Sequence, residues 1–288
     1  MTSQLFLQLL INGISIGLLY ALVALGLVLV LGVAKVFNFA HGEFYMLGAY
    51  ALFTFHVTLH LNFAVSVVLS GLSIALLGAV CSKAIFQLIR GSLLKAAAIT
   101  IGMGIIIRQA VLQGYGTAER GVKPILQGVV TIGGARLSVE RLAAIGYCLC
   151  LVGLLAWFLT KTKTGIAMRA TNLDEDAAKL QGINTDRMYL IAIAVGSGLA
   201  GAAGAIVAPI LALSPEMGHA MLFLVLMVII LGGMQSAIGA VIGGLILGLA
   251  LSFGFHFLGG MSELATFFLI GFVVMIKPHG LFGRQVEV

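Results

Sequence analysis

Between two strongly apolar stretches stands the run Asn38-Phe39-Ala40-His41-Gly42-Glu43, with Tyr45 just after it. It gathers an amide, an imidazole, a carboxylate and a phenol, groups able to hydrogen-bond a polar solute or relay a proton. Ionisable side chains near membrane depth are costly and usually face a cavity or one another. Two readings are open here. The run is a cytoplasmic turn following Lys35, or it is a helix break lining a translocation route, where freed backbone groups and Asn38 meet a solute. A second break, Leu231-Gly232-Gly233-Met234-Gln235-Ser236-Ala237-Ile238-Gly239, carries Gln235 between two apolar runs. It is either a tight inner turn or a re-entrant break at a pore.

The segment 161–187 concentrates charge, with Lys161, Lys163, Arg169, Lys179 and Arg187. Asn172 or Asp174 caps a short helix over 173–181. Asp174, Glu175 and Asp176 then fall near its positive N-terminus, and Gly182 closes it after Lys179. The apolar face of that helix (Leu173, Ala177, Leu180) suits docking of a soluble partner; a solvated loop is the plainer alternative.

Other motifs carry less. Gly196-Ser197-Gly198-Leu199-Ala200-Gly201 matches the dinucleotide fingerprint, but it sits inside an apolar helix and no acid follows until Glu216. That fingerprint needs a preceding strand and an acid about 20 residues on. Close helix packing explains Gly198, Gly201 and Gly204 better, since small residues let backbones approach in lipid. The same holds for Gly13 with Gly17, Gly239 with Gly243, and Gly244 with Gly248. Gly13-Ile14-Ser15-Ile16-Gly17 has the spacing of a nucleophile elbow, without the strand that motif requires. His56 and His60 stand four apart but lack the glutamate of HExxH; they read as interfacial. No Gly-Lys pair occurs, so no Walker A loop is present, and any ATP must be bound by another polypeptide. Cys81, Cys148 and Cys150 lie in apolar stretches without metal spacing and read as filler. No metal site and no catalytic residues are expected.

Positioning these groups falls to 288 residues, 61% hydrophobic and 9% charged, with a mean hydropathy of +1.16. Globular domains are nearer half apolar and a quarter charged. Disorder, a disulfide scaffold and a cytosolic enzyme are poor fits. Apolar stretches fall at 5–34, 44–61, 63–89, 93–112, 142–160, 188–213, 221–231, 237–258 and 264–276, the seventh short for a crossing. The first reads as a retained span rather than a cleaved signal peptide, although it is long enough to include a surface helix. Lipid cannot satisfy open strand edges, so these are helices. The expectation is an all-α integral membrane protein, a polytopic bundle of about eight transmembrane helices forming a single domain over 1–288.

Basic residues orient the bundle. Placing 161–187 in the cytoplasm puts Lys35, Lys83, Arg90, Lys95, Lys277 and Arg284 inside too. Only Arg108, Arg120, Lys123, Arg136 and Arg141 are then outside. The C-terminus is inside and the N-terminus outside. Residues 113–140 become an extracytoplasmic loop, with a hairpin expected through Gly133-Gly134. The net charge of +6 marks inner loops and anionic lipid headgroups rather than nucleic acid.

Several of these features, in this order, resemble the permease subunit of branched-chain amino acid ABC importers, the LivH type. The residues that match are Asn12-Gly13 with Gly17-Leu18-Leu19-Tyr20-Ala21-Leu22 and Gly26; then Phe37-Asn38-Phe39-Ala40-His41-Gly42-Glu43-Phe44 with Gly48-Ala49-Tyr50. Further along are Gly165 through Arg169-Ala170, Ala177-Ala178 through Gly182-Ile183, and Leu199-Ala200-Gly201-Ala202-Ala203-Gly204. Leu231-Gly232-Gly233-Met234-Gln235-Ser236 with Gly239-Ala240 and Gly243-Gly244 completes the set. The resemblance implies a heterodimeric pore with a second, related permease subunit. It implies two ATPase subunits that bind ATP and Mg, and an extracytoplasmic substrate-binding protein delivering leucine, isoleucine or valine.

The expected function is therefore the membrane-spanning permease subunit of an ATP-driven importer working by alternating access in the bacterial inner membrane. Asn38, His41, Glu43, Tyr45 and Gln235 are the candidate substrate pathway. Arg169, Asp174, Glu175, Asp176 and Lys179 are the candidate ATPase-coupling contacts. The resemblance leaves room for urea, short amides or small carboxylic acids as cargo. A stand-alone channel or ion-driven carrier would need an embedded relay, for which Glu43 with His41 is the site. An intramembrane enzyme lacks paired catalytic residues.

Overall fold

A chain in lipid must satisfy its backbone internally, and long runs of Leu, Ile, Val, Ala and Gly do so as helix. The computed structural model describes residues 3–86, 92–123 and 128–283. Arg90, Arg284 and Pro124 lie outside the described residues. Helix α1, Ser3–Ala34, is one uninterrupted element, so the stretch 5–34 is not divided into a surface helix and a span. After it come α2, His41–Leu52, continued by a π-helical turn Phe53–Thr58, and α3, Phe63–Cys81, continued by a π-helical Ser82–Phe86. Helix α4 is Leu93–Tyr115; strands β1, Val129–Ile132, and β2, Ala135–Ser138, follow it. Helix α5, Val139–Lys161, leads to the short helices α6, Lys163–Leu173, and α7, Glu175–Leu180. The rest is α8, Thr185–Val207; α9, Met217–Gly232; α10, Ala237–Leu258; and α11, Ser262–Ile276, after a 3-10 turn at Gly259–Met261.

Among the described residues, six stretches are long and apolar enough to cross a membrane: Ser3–Ala34, Phe63–Ile85, Leu94–Tyr115, Val139–Lys161, Thr185–Val207 and Ala237–Ile276. Met217–Gly232 is a shorter apolar helix, and α2 with its π turn is another. The architecture is the all-α polytopic bundle expected. Gln4 and Leu7, near the start of α1, lie against Gly134 and Gly133 of the hairpin. The end of the described chain instead bonds the far end of α9, through Leu281 N–H to the Leu231 carbonyl and Phe282 N–H to that of Gly232. The two ends thus lie on opposite sides of the bundle. The eight or so expected compare with these six stretches, because α9 is a shorter apolar helix and α10 with α11 counts as one stretch through Gly259–Met261.

Helices α1 and α8 form the centre and are the most enclosed of the long spans. Lipid supplies little hydrophobic drive between helices, so contact rests on close backbone approach. Gly13 and Gly17 of α1 face Gly248 and Gly244 of α10, each glycine leaving no room for a Cβ. On α8, Gly196 meets Gly26 of α1, Gly198 meets Ala75 of α3, Gly201 meets Ile74 of α3, and Gly204 meets the Tyr45 carbonyl of α2. Helix α8 thus seats three neighbours around its circumference. Gly239 and Gly243 of α10 abut Gly232 and the Val228 carbonyl of α9.

The outer loop contains the hairpin read from the sequence. Strands β1 and β2 pair antiparallel, with Ile132 opposite Ala135, and φ is +56° at Gly133 and +87° at Gly134. A two-residue turn of that hand needs positive φ at both positions, which glycine adopts without Cβ strain.

Candidate functional site: a polar break inside the bundle

Helix α1 ends at Ala34, and Lys35, with φ +53°, turns the chain back. Asn38 Oδ1 accepts from Ala40 N–H at 3.0 Å, which tightens the turn. Phe39 N–H donates to Thr100 Oγ1 of α4 at 3.2 Å. His41 Nε2–H donates to the Val23 carbonyl of α1 at 3.1 Å. Val23 stands three helical turns before Ala34, about 16 Å along the axis at 1.5 Å per residue. The start of α2 therefore lies beside the mid-section of α1 rather than at its end.

Asn38 and His41 are fully buried and Glu43 is 6% exposed. Asn38 Nδ2, His41 Nδ1 and Glu43 Oε2 are buried without a hydrogen-bond partner. Each such atom costs about 1–3 kcal/mol relative to a satisfied one. Three within six residues of chain call for an explanation. The sequence run brings these three together. Tyr45 lies one step further on, buried in the chain's own core. Gln235 is elsewhere: it is exposed at the turn between α9 and α10, where Gly233, at φ +109°, ends α9. Ser236 Oγ caps α10 by accepting from Gly239 N–H at 3.0 Å. The Gly232–Gly239 segment is thus a tight turn.

The start of α9 meets the start of α2. A Cβ on Gly42 would strike the Gly218 carbonyl, and one on Gly218 would lie 2.5 Å from Glu43 Oε2. Just before α9, Glu216 Oε2 accepts from Arg108 Nη1 of α4 at 3.0 Å. Gly104, one turn before Arg108, faces Glu43: a Cβ there would make ordinary van der Waals contact with Glu43 Cγ at 3.5 Å. Glu43, Arg108 and Glu216 are close enough to interact electrostatically. The sequence reading assigned Arg108 to the outer charge balance and gave Glu216 no role. The usable signal was a lone arginine inside the apolar stretch 93–112, since a charge within a span is a functional candidate by default.

Above α2, Thr54 Oγ1 and the Tyr115 hydroxyl share a 2.6 Å hydrogen bond. Arg120 donates twice to the Tyr115 carbonyl, at 2.7 and 3.2 Å, and lies over the Phe53 ring. These groups close the bundle at its outer end.

At the opposite end, α6 and α7 project from the bundle. Thr162 caps α6 through Gly165 N–H at 3.0 Å. Asp174 Oδ1 caps α7, accepting from Asp176 N–H at 2.9 Å and Ala177 N–H at 3.0 Å. Lys179 Nζ pairs with Glu175 at 2.9 Å and Asp176 at 3.7 Å, and Lys35 approaches Glu175 at 3.9 Å. The expected helix over 173–181 is thus α7, joined by a second helix, α6, that the sequence reading left as loop. Arg169 is exposed on α6. Leu173 and Leu180 are 71% and 88% exposed, an apolar face left open among the described residues. Asn172 lies against Gly32 of α1, linking the segment to the central helix.

The family model described as branched-chain amino acid transport system, permease component, matches residues 9–277. The chain belongs to that family. It is similar to the high-affinity branched-chain amino acid transport system permease protein LivH of Escherichia coli K12, 30% identical over 98% of this chain and 97% of that one. BraD of Pseudomonas aeruginosa, with the same description, is 28% identical over 98% of this chain and 97% of its own length. A probable LivH of Methanocaldococcus jannaschii is 27% identical over 92% of this chain and 89% of its own. No solved structure matches. The permease is a component of a multi-subunit membrane transport system and a transporter rather than an enzyme. It is a multi-pass protein of the inner membrane.

Proposed function

We propose that this chain is the pore-forming subunit of an ATP-driven importer of leucine, isoleucine and valine. It pairs with a second, related permease; two ATPase subunits dock on α6 and α7, and an extracytoplasmic binding protein delivers the cargo. ATP and Mg belong to the ATPase subunits. The observation that carries the reading is the start of α2, bonded to Val23 about 16 Å along α1 from its end, where Asn38 just before the helix and His41 and Glu43 in its first turn hold three unpartnered buried polar atoms.

Asn38, His41 and Glu43 present those atoms to a solute crossing beside α2. Arg169, Asp174, Glu175, Asp176 and Lys179, with the exposed Leu173 and Leu180, form the surface that the ATPase moves. The contact of Asn172 on Gly32 carries that motion to α1, against whose mid-section His41 is bonded. ATP biases outward- and inward-open states only as far as its binding differs between them. The cargo reading is tested in proteoliposomes holding the full set of subunits. On ATP addition, labelled leucine accumulates and labelled urea does not; accumulation of urea in preference to leucine overturns the cargo assignment.

A further inference from the structure

We infer that Glu43, Arg108 and Glu216, gathered where α2 and α9 begin, bind the charged ammonium and carboxylate of an α-amino acid in transit. This rests on the importer reading above and names the atoms that reading needs.

Seven of the described helix starts are capped by a side chain of their own. Asn62, Ser92, Ser138, Thr162, Asp174, Asn184 and Ser236 each accept from the first turn of the helix they open. Helix α11 follows Met261 without one; α2 and α9 are uncapped too, since neither Ala40 nor Glu216 supplies a side-chain cap. Their first turns lie backbone against backbone at Gly42 and Gly218. A helix N-terminus carries partial positive charge and free N–H groups, which suit a carboxylate.

A carboxylate oxygen is nevertheless aimed at that junction. Glu43 Oε2 is buried, unpartnered and 2.5 Å from the place a Cβ on Gly218 would take. An unpaired carboxylate oxygen in such a place calls for a hydrogen-bond donor, and an ammonium brings three. Arg108 provides the opposite sign. Its pair with Glu216 uses Nη1, and a guanidinium has further donors in a fork matched to a carboxylate. Arg108 is seven residues before the end of α4 at Tyr115, about 10 Å into the bundle. Its side chain is 30% exposed and that of Glu216 68%. Open charges at that depth do not face hydrocarbon; they border a polar passage. Partners of both signs within one small region fit a zwitterion. They fit a neutral amide or a lone carboxylic acid poorly, because either leaves one sign unanswered.

The test uses the whole assembly. Glu43→Gln, Arg108→Gln and Glu216→Gln each lower initial leucine uptake in proteoliposomes about tenfold or more while still co-purifying with the ATPase partners. The swap Arg108→Glu with Glu216→Arg, which restores an ion pair but reverses its polarity, stays defective. Wild-type uptake in the single variants, or recovery in the swap, would show a purely structural pair and overturn the inference. A ligand-side measurement needs no variant. Labelled leucine bound to the wild-type assembly without its binding protein is displaced by leucine, but not by leucinamide or 4-methylpentanoate. Equal displacement by either analogue, or no saturable leucine binding, also overturns it. Failure of the wild-type assembly to take up leucine at all counts against the cargo reading instead.

Discussion

Asp174 holds α7 in place through two backbone N–H groups. Removing an N-cap costs about 0.5–2 kcal/mol, enough to fray a six-residue helix. Asp174→Ala is therefore expected to lower leucine uptake per ATP hydrolysed several-fold, whereas Asp174→Ser, which keeps a cap, retains most of it. Lys179→Ala makes a useful contrast: an exposed i,i+4 pair is worth only about 0.3–0.5 kcal/mol, so the helix stays folded and a fall in coupling there reads the ATPase contact itself. The caps at Asp174 and the hairpin glycines were legible in the sequence because each acts within a few residues of itself. Arg108 with Glu216 was not. The two are 108 residues apart, and only the folded bundle puts the start of α9 beside α4. The depth of His41 was equally hidden, since it depends on a bond to Val23 that no local pattern encodes.

At the scale of elements, glycine pairs set the spacing of the central helices. Gly248 sits against Gly13 and Gly17 closely enough that a side chain forces α1 and α10 apart. Gly248→Val is expected to abolish recovery of folded assembly in detergent. Gly102, in the middle of α4, has nothing within 4 Å of a Cβ, so Gly102→Ala gains roughly 0.5–1 kcal/mol of helix propensity and should hold or raise the melting temperature. The apolar runs made the long helices readable. Helix α6 was missed because its composition is mixed, and its place depends on Thr162 capping and on Gly165 fitting against the Phe158 carbonyl. The Gly232–Gly239 break was correctly seen as a break. Its choice between turn and re-entrant loop needed the contact with the chain's last described residues.

For the whole molecule, the contacts place the N-terminal end of α1 and the hairpin on one side, and Lys35, α6, α7 and the tail on the other. Basic residues decide which side is cytoplasmic. In a background without Cys81, Cys148 and Cys150, a cysteine replacing Lys179 should react with an impermeant thiol reagent only in inside-out vesicles, and one replacing Gly121 only in right-side-out cells. Exchange of those results would invert the orientation. The central claim is that this chain shapes a passage and draws its driving force from ATPase subunits docked on α6 and α7. Sealed liposomes loaded with this chain alone, given labelled leucine with or without ion gradients, measure that most directly. The account predicts no accumulation above the outside concentration until the partner subunits and ATP are supplied. Uphill accumulation by the lone chain would contradict it.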